Sequence, residues 1–461
     1  MMGSMFLEKS IPELIHGVEQ GAISFRDMAE TTVDVIKKWE AHSKAWVCFD
    51  LDELRAESER VFLNYKRRGH LLGLDGIPFG VKDIFNTRAF PTQMGSPIWK
   101  GFTPGNNARV VDSLLLAGGL VAGKMVTAEF AVHVLNETLN PHDATKTPGT
   151  SSSGSAAAVA RGMVPFALAT QTAGSIVRPA SFCGIWGMKP SFGMIPRTGV
   201  LKTTDSLDTI GFVATHAKSL RPILDQVRVK GPDYPSVYRN VDSKGGNPKS
   251  PSKPWRVGFV KTHVWDGAEG YTREAIMGLA EKIDREVGFE VEELDWSDDV
   301  RVAHDIHAII YNKSLSYYFQ HEAKISSQIS PVMKEMIAMG ESISLETFKE
   351  AIRQQEIFCE KLDSLLSPYD IVLSLGTSSS APLRGVVELP DPSLIWTLGH
   401  IPSIAVPAFR CPSGLPFGAQ FVSRRWNDYL LLQGVEELVD RGVLPPGSLN
   451  IRQSMVEKGM A

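Results

Sequence analysis

The chain has 461 residues, a formal net charge of −4, 43% hydrophobic residues and 22% charged residues. That much apolar material supports a large core and excludes a disordered chain. The balance of 48 Lys and Arg against 52 Asp and Glu excludes the basic footprint of a nucleic-acid binder.

In chain order, the start Met1-Met2-Gly3-Ser4-Met5 lacks the basic residues and apolar run of a signal peptide. Ser10-Ile11-Pro12 predicts a helix start and Gly21 its end. Ser24-Phe25-Arg26-Asp27 predicts a capping box that opens a second helix running to about Glu40. Both helices read as scaffold. From Gly76 onward, short apolar runs at Leu120 to Gly123 and Phe166 to Ala169 alternate with helical patterns at Ala108 to Ala117 and Ser155 to Arg161. That alternation predicts an α/β chain layered around a mainly parallel or mixed sheet. Ser243 to Pro254 is rich in turn formers and reads as a linker. Beyond it, Arg256 to Val260 predicts a strand, Thr272 to Glu286 a helix, Glu290 to Leu294 a strand, and residues 300–368 a helix-rich region. No stretch approaches the ~20 apolar residues of a membrane span. The cysteines Cys48, Cys183, Cys359 and Cys411 are scattered, which argues for packing roles in a reducing, cytoplasmic setting.

Three short segments carry the chemistry: Gly80-Val81-Lys82-Asp83, Thr150-Ser151-Ser152-Ser153-Gly154-Ser155 and Thr170-Gln171-Thr172-Ala173-Gly174-Ser175. Alone, a Gly/Ser-rich loop turns the chain and a lone lysine sits on the surface. Together they read as a serine hydrolase without a histidine. Asp75 to Asp83 resembles the lysine segment of the amidase signature family, and Pro148 to Ala158 resembles its glycine/serine-rich segment. Ala173 to Ile176 with Ala180 to Pro190 is similar to the nucleophile segment, and Ile401 to Pro407 with Gly414 to Gln420 is a fourth match. The resemblance spans about residues 10–440.

An amide has a resonance-stabilised carbonyl and a poor leaving amine. Its hydrolysis needs an activated nucleophile, a proton donor and a home for the oxyanion. By the resemblance, Ser175 is the nucleophile, Ser151 the relay serine and Lys82 the base. Ser151 and Ser175 lie 24 residues apart, the family's interval, which singles out Ser151 over Ser152 and Ser153. Lysine serves as base only when neutral, so burial has to bring its pKa down from about 10.4 toward working pH. The resemblance further implies a cis peptide bond before Ser151, although Thr150 stands where glycine is usual. It implies an oxyanion hole from the backbone N–H groups of Thr172, Ala173, Gly174 and Ser175, with Ala173 replacing a common glycine.

The implied architecture is the amidase signature fold, a large mixed β-sheet covered by helices on both faces. One domain would span residues 1–461, with N-terminal helices to 70, a catalytic core segment at 71–220, the linker-like loop at 243–254, and a variable helical part with the C-terminal core at 255–461. No metal or organic cofactor is expected. The partners are a small-molecule amide and a second copy in a homodimer, with no nucleic acid and no membrane.

Two departures bear on substrate. Most family members carry an Asp four residues before the nucleophile and an Arg two after it, fitting an ion pair. Here Gln171 and Val177 stand at those positions, and Arg178 lies three residues after Ser175. With both halves of the pair gone, Arg178 is expected to be free, and its planar two-pronged donor suits a carboxylate. The alternative is an ion pair with an acidic side chain from elsewhere. The arrangement resembles a subgroup acting on malonamate-like or allophanate-like amides. It assigns Arg178, Thr150 and His400 to substrate binding, with a structural role for His400 equally open.

His304-Asp305-Ile306-His307 lacks a third ligand and reads as surface or core rather than metal site. Ser250-Pro251-Ser252-Lys253 matches a penicillin-binding pattern out of its helical context. Cys183 reads as a packing residue. The expected function is hydrolysis of a small, carboxylate-bearing amide or ureido compound to acid and ammonia. The alternatives are the glutamine-hydrolysing, A-type component of an amidotransferase, an amidase for neutral or aromatic amides, and a retired member used for assembly.

Overall fold

A computed structural model describes residues 4–244, 254–325 and 327–451. Residues 245–253 of the predicted linker, with the Ser250 to Lys253 pattern, lie outside the described residues. Eleven strands form one sheet: β1 Trp46–Phe49, β2 Pro78–Lys82, β3 Leu120–Met125, β4 Phe166–Gln171, β5 Trp186–Lys189, β6 Thr209–Ala214, β7 Trp255–Lys261, β8 Phe289–Asp295, β9 Ile371–Leu375, β10 Ser403–Arg410 and β11 Pro416–Val422. Their order across the sheet is β1-β3-β2-β4-β6-β5-β10-β11-β9-β7-β8. Strand β2 runs parallel to β3 and β4, and β7 runs parallel to β8 and β9, while the other pairs are antiparallel. The sheet is therefore mixed, as the sequence predicts, and helices cover both faces.

The N-terminal scaffold follows its caps. Glu13 accepts from the backbone N–H of Ser10 at 2.7 Å, opening the helix Ile11–Glu19. Ser24 and Asp27 cap each other at 2.8 and 3.1 Å, opening the helix Phe25–Ser43. The sequence reading lacks β1 and the helix Leu51–Arg68. A strand of four residues is too short for alternation to register, and the helix buries only Leu54 and Ser58.

Burial of small residues shapes the centre. Every residue of the helix Ser153–Ala160 is buried. A side chain on Gly154 would strike the backbone of Ala45 and Val126, so glycine is what lets this helix lie against the chain beneath it. On the other face of the sheet, Phe79 of β2 stacks on Phe166 of β4 with centroids 5.4 Å apart. Aromatic packing thus locks the two strands whose ends carry the candidate site. The predicted helix-rich region holds the helices Ala303–Tyr318, Pro331–Ser342 and Leu345–Leu366.

Candidate active site

Because β2 and β4 are parallel neighbours, their carboxyl ends reach the same edge of the sheet, where Lys82 ends β2 and Gln171 ends β4. The strand end is held firmly. Asp83 pairs with Lys124 at 2.9 Å, and Lys124 also donates to the carbonyls of Phe85 and Pro91.

Lys82 is completely buried, with its Nζ 2.7 Å from Ser151 Oγ, 3.0 Å from Ser152 Oγ and 2.9 Å from Thr170 Oγ1. Hydroxyls can accept from an ammonium or donate to an amine, so this cage serves either protonation state. Among the described residues no carboxylate pairs with Lys82. Burial therefore dominates and pushes its pKa down to about 7, against the opposing charge of Asp208.

The Thr150–Ser151 peptide bond is cis, as the resemblance implies. The loop carrying it lies against the helix Val177–Cys183 that follows Ser175. Gly149 has φ +86°, and a Cβ there would approach Pro179 Cα to 2.9 Å. Arg178 Nη2 donates to Thr150 O at 2.9 Å. These contacts hold the segment of Ser151 beside that of Ser175, which is 8% exposed.

Gln171 explains the missing ion pair. Its Oε1 accepts from the N–H groups of Ile176 at 2.9 Å and Val177 at 3.0 Å, capping the helix start, while its Nε2 donates to Thr397 Oγ1 at 3.0 Å. A neutral amide does the work without a charge.

The turn between them points its carbonyls outward. Thr172 O accepts from His307 Nε2 at 2.8 Å, Ala173 O from Thr397 Oγ1 at 2.7 Å, and Gly174 O from the N–H of Arg178 at 2.9 Å. The backbone N–H groups of Ala173, Gly174 and Ser175 have no hydrogen-bond partner among the described residues. Free donors clustered beside a serine hydroxyl suit a developing oxyanion. Thr172 Oγ1 donates to Asp208 Oδ1 at 2.8 Å, and Asp208 also accepts from Thr203 and Thr204, so a fully bonded carboxylate braces the turn.

Arg178 is not free. Its Nη1 lies 2.9 Å from Glu388 Oε2 and 3.1 Å from Asp391 Oδ2. Burial works against its charge, but the two carboxylates prevail and raise its pKa. The expectation of an unpaired arginine is thus corrected: loss of the family's usual partner is met by two acids from the segment between β9 and β10. His400 has structural partners, the role the sequence left equally open. Its ring stacks on Phe192 with centroids 4.3 Å apart, and its Nε2 donates to Ser206 O at 2.7 Å. Burial and then Arg425 push its pKa down to about 3, so the ring is a neutral structural tie.

Sequence reasoning missed one wall of the site. The helix Ala303–Tyr318 sends His307 to the oxyanion turn, with the Tyr311 ring centroid 5.5 Å from its own, and sets His304 against His263 at 2.8 Å. The spacing of His304, His307 and Tyr311 along one helix face was the available signal. No group of three or more metal-type ligands occurs among the described residues. Cys183 is buried, which drives its thiol pKa upward, and all four cysteines are free.

A sequence profile described as Amidase matches residues 27–432. The chain belongs to the Amidase family. It is an amidohydrolase, acting on non-peptide carbon–nitrogen bonds. A glutamyl-tRNA(Gln) amidotransferase subunit of Anaeromyxobacter dehalogenans (strain 2CP-C) is 29% identical, over 93% of this chain and 95% of that one. The AtzE subunit of 1-carboxybiuret hydrolase from Pseudomonas sp. (strain ADP) is 27% identical, over 94% and 98%. A chain from a vestigial protein complex linked to the origins of an s-triazine catabolic enzyme superposes with TM-score 0.84 at 25% identity, covering 96% of this chain and all of that one. Peptide amidase from Stenotrophomonas maltophilia shares the fold at TM-score 0.79 and 22% identity, over 95% and 98%. No described helix is long and apolar enough to cross a membrane.

Proposed function

We propose that this one-domain amidase cleaves a small amide or ureido compound bearing a carboxylate, releasing the acid and ammonia through an acyl-enzyme on Ser175. The observation that carries the mechanism is the hydroxyl cage of Lys82, in contact with Ser151 at 2.7 Å, in which burial outweighs the charge of Asp208 and brings the lysine pKa down to about 7. Ser175 Oγ attacks the carbonyl carbon and yields its proton to Ser151, which passes its own to neutral Lys82. The backbone N–H groups of Ala173, Gly174 and Ser175 receive the oxyanion. Collapse expels ammonia with the returned proton, and water reverses the sequence to free the acid.

Arg178 is the candidate anchor for that class, although its pairing with Glu388 and Asp391 is the alternative the sequence left open. It lies one helical turn from Ser175, is tied to Thr150 O, and already holds carboxylates in a pocket against the nucleophile helix. The AtzE relative, named for a carboxybiuret hydrolase, agrees with that chemistry. Glutamine is a second amide to include, as the amidotransferase alternative raised by the sequence resemblance requires, and amidotransferase subunits are among the relatives. The test is ammonia release from short amides and ureido compounds, each carboxylate compared with its neutral analogue. Preference for the carboxylates is expected, and activity on neutral amides alone would overturn the anchor while leaving the triad standing.

A further inference from the structure

Arg178 carries one positive charge, and Glu388 with Asp391 supply two negative ones, so the cluster as it stands repels a third carboxylate. The space enclosed by Arg178, Phe182, Thr377 and the Glu388 to Pro392 segment is about 10 Å³, no more than a single water needs. For a substrate carboxylate to reach the guanidinium, one resident acid has to leave.

The two acids are held very differently. Asp391 Oδ1 accepts from the N–H of Ser393 at 2.8 Å, at the start of the helix Leu394–Leu398. Its carboxylate packs so closely on Gly174 that a methyl there would collide with it. Glu388 is 22% exposed at its side chain, and its only described ion-pair partner is Arg178. It sits on a short flap. Arg384 pins one end by donating to Asn136 O and Thr138 O at 2.6 Å each, and Ser378 Oγ pins the other by donating to Pro390 O at 2.8 Å. Between these pins, Gly385 adopts φ +81° in open space and Val387 is 92% exposed. Glu388 is thus the less firmly held of the two acids, and Asp391 the more firmly held.

We propose that Glu388 is the resident occupant of the Arg178 seat and that a substrate carboxylate binds by displacing it, one carboxylate exchanging for another. This rests on the reading of Arg178 as a carboxylate anchor. Glu388 then sets specificity: it weakens binding of carboxylates in inverse proportion to the fraction of time the seat stands empty and excludes bulky neutral groups from it.

The test is calorimetric binding of malonamate and malonamide to the Ser175→Ala protein, with and without Glu388→Gln or Glu388→Ala. Either substitution should tighten malonamate by about tenfold or more, the effect of emptying a seat that is nine-tenths occupied, and leave malonamide nearly unchanged. Glu388→Ala guards against Gln retaining the contact. If Ser175→Ala prefers malonamate but neither Glu388 variant tightens it, the displacement is wrong and the anchor survives. If Ser175→Ala binds both compounds alike and Arg178→Lys changes neither, the anchor reading itself fails and the displacement falls with it.

Discussion

Two cations flank Ser175 in this molecule, and they are treated in opposite ways. Lys82, on the sheet side, is wholly buried and meets only hydroxyls, so it loses its charge readily, with a pKa of about 7. Arg178, on the helix side, meets two carboxylates and has its charge reinforced. The contrast ties two environments to two charge states: a buried lysine among hydroxyls gives up its proton readily, and an arginine between two carboxylates keeps its own.

The sharpest way to break the comparison is to remove the chemistry it frames. Ser175→Ala should lower kcat on the order of 10⁴- to 10⁶-fold while ammonia release is followed on the best amide found. Lys82→Met should cost about 10²- to 10⁴-fold, the range for a general base, and a Lys82→Met enzyme with near-normal turnover would exclude the lysine from the relay. On the recognition side, Arg178→Lys keeps the charge and loses the fork. It should raise KM for carboxylate amides about 10- to 100-fold, the weight of one charge-assisted hydrogen bond, with little change in kcat. Gln171→Leu leaves the N–H groups of Ile176 and Val177 without their acceptor and should destabilise the fold by about 1–3 kcal/mol, read as a drop in Tm. The smallest effect expected is from Asp208→Asn. Asp208 favours the charged form of Lys82, so its neutralisation lowers the lysine pKa further and moves the acid limb of the rate profile to lower pH.

The same contrast separates what was legible in the sequence from what was not. Lys82 and Ser151 stand in short local segments whose neighbours are fixed by strand ends and small-residue helices, so their order anticipated the contact between them. Thr150 could be marked as a departure without obscuring the cis bond. The partners of Arg178 could not be read, because Glu388 and Asp391 come from a loop far along the chain that no motif fixes. Only the folded sheet brings β9 and the segment after it over the helix Val177–Cys183. His307 was hidden for the same reason: its contact with Thr172 O depends on how the helix Ala303–Tyr318 docks. For His400, whose structural role the sequence left equally open, the partners Phe192 and Ser206 could not be read either. The short strand β1 was invisible to pattern, although its pairing with β3 completes the edge of the sheet.

The pH dependence of kcat/KM for ammonia release bears most directly on the hydroxyl-caged lysine. With neutral Lys82 as the proposed working form, the rate should fall about tenfold per pH unit below about 7 and level off above it. A profile flat down to about pH 5, or one still rising toward the ordinary lysine range near 10.4, would contradict the assignment of Lys82 as the base.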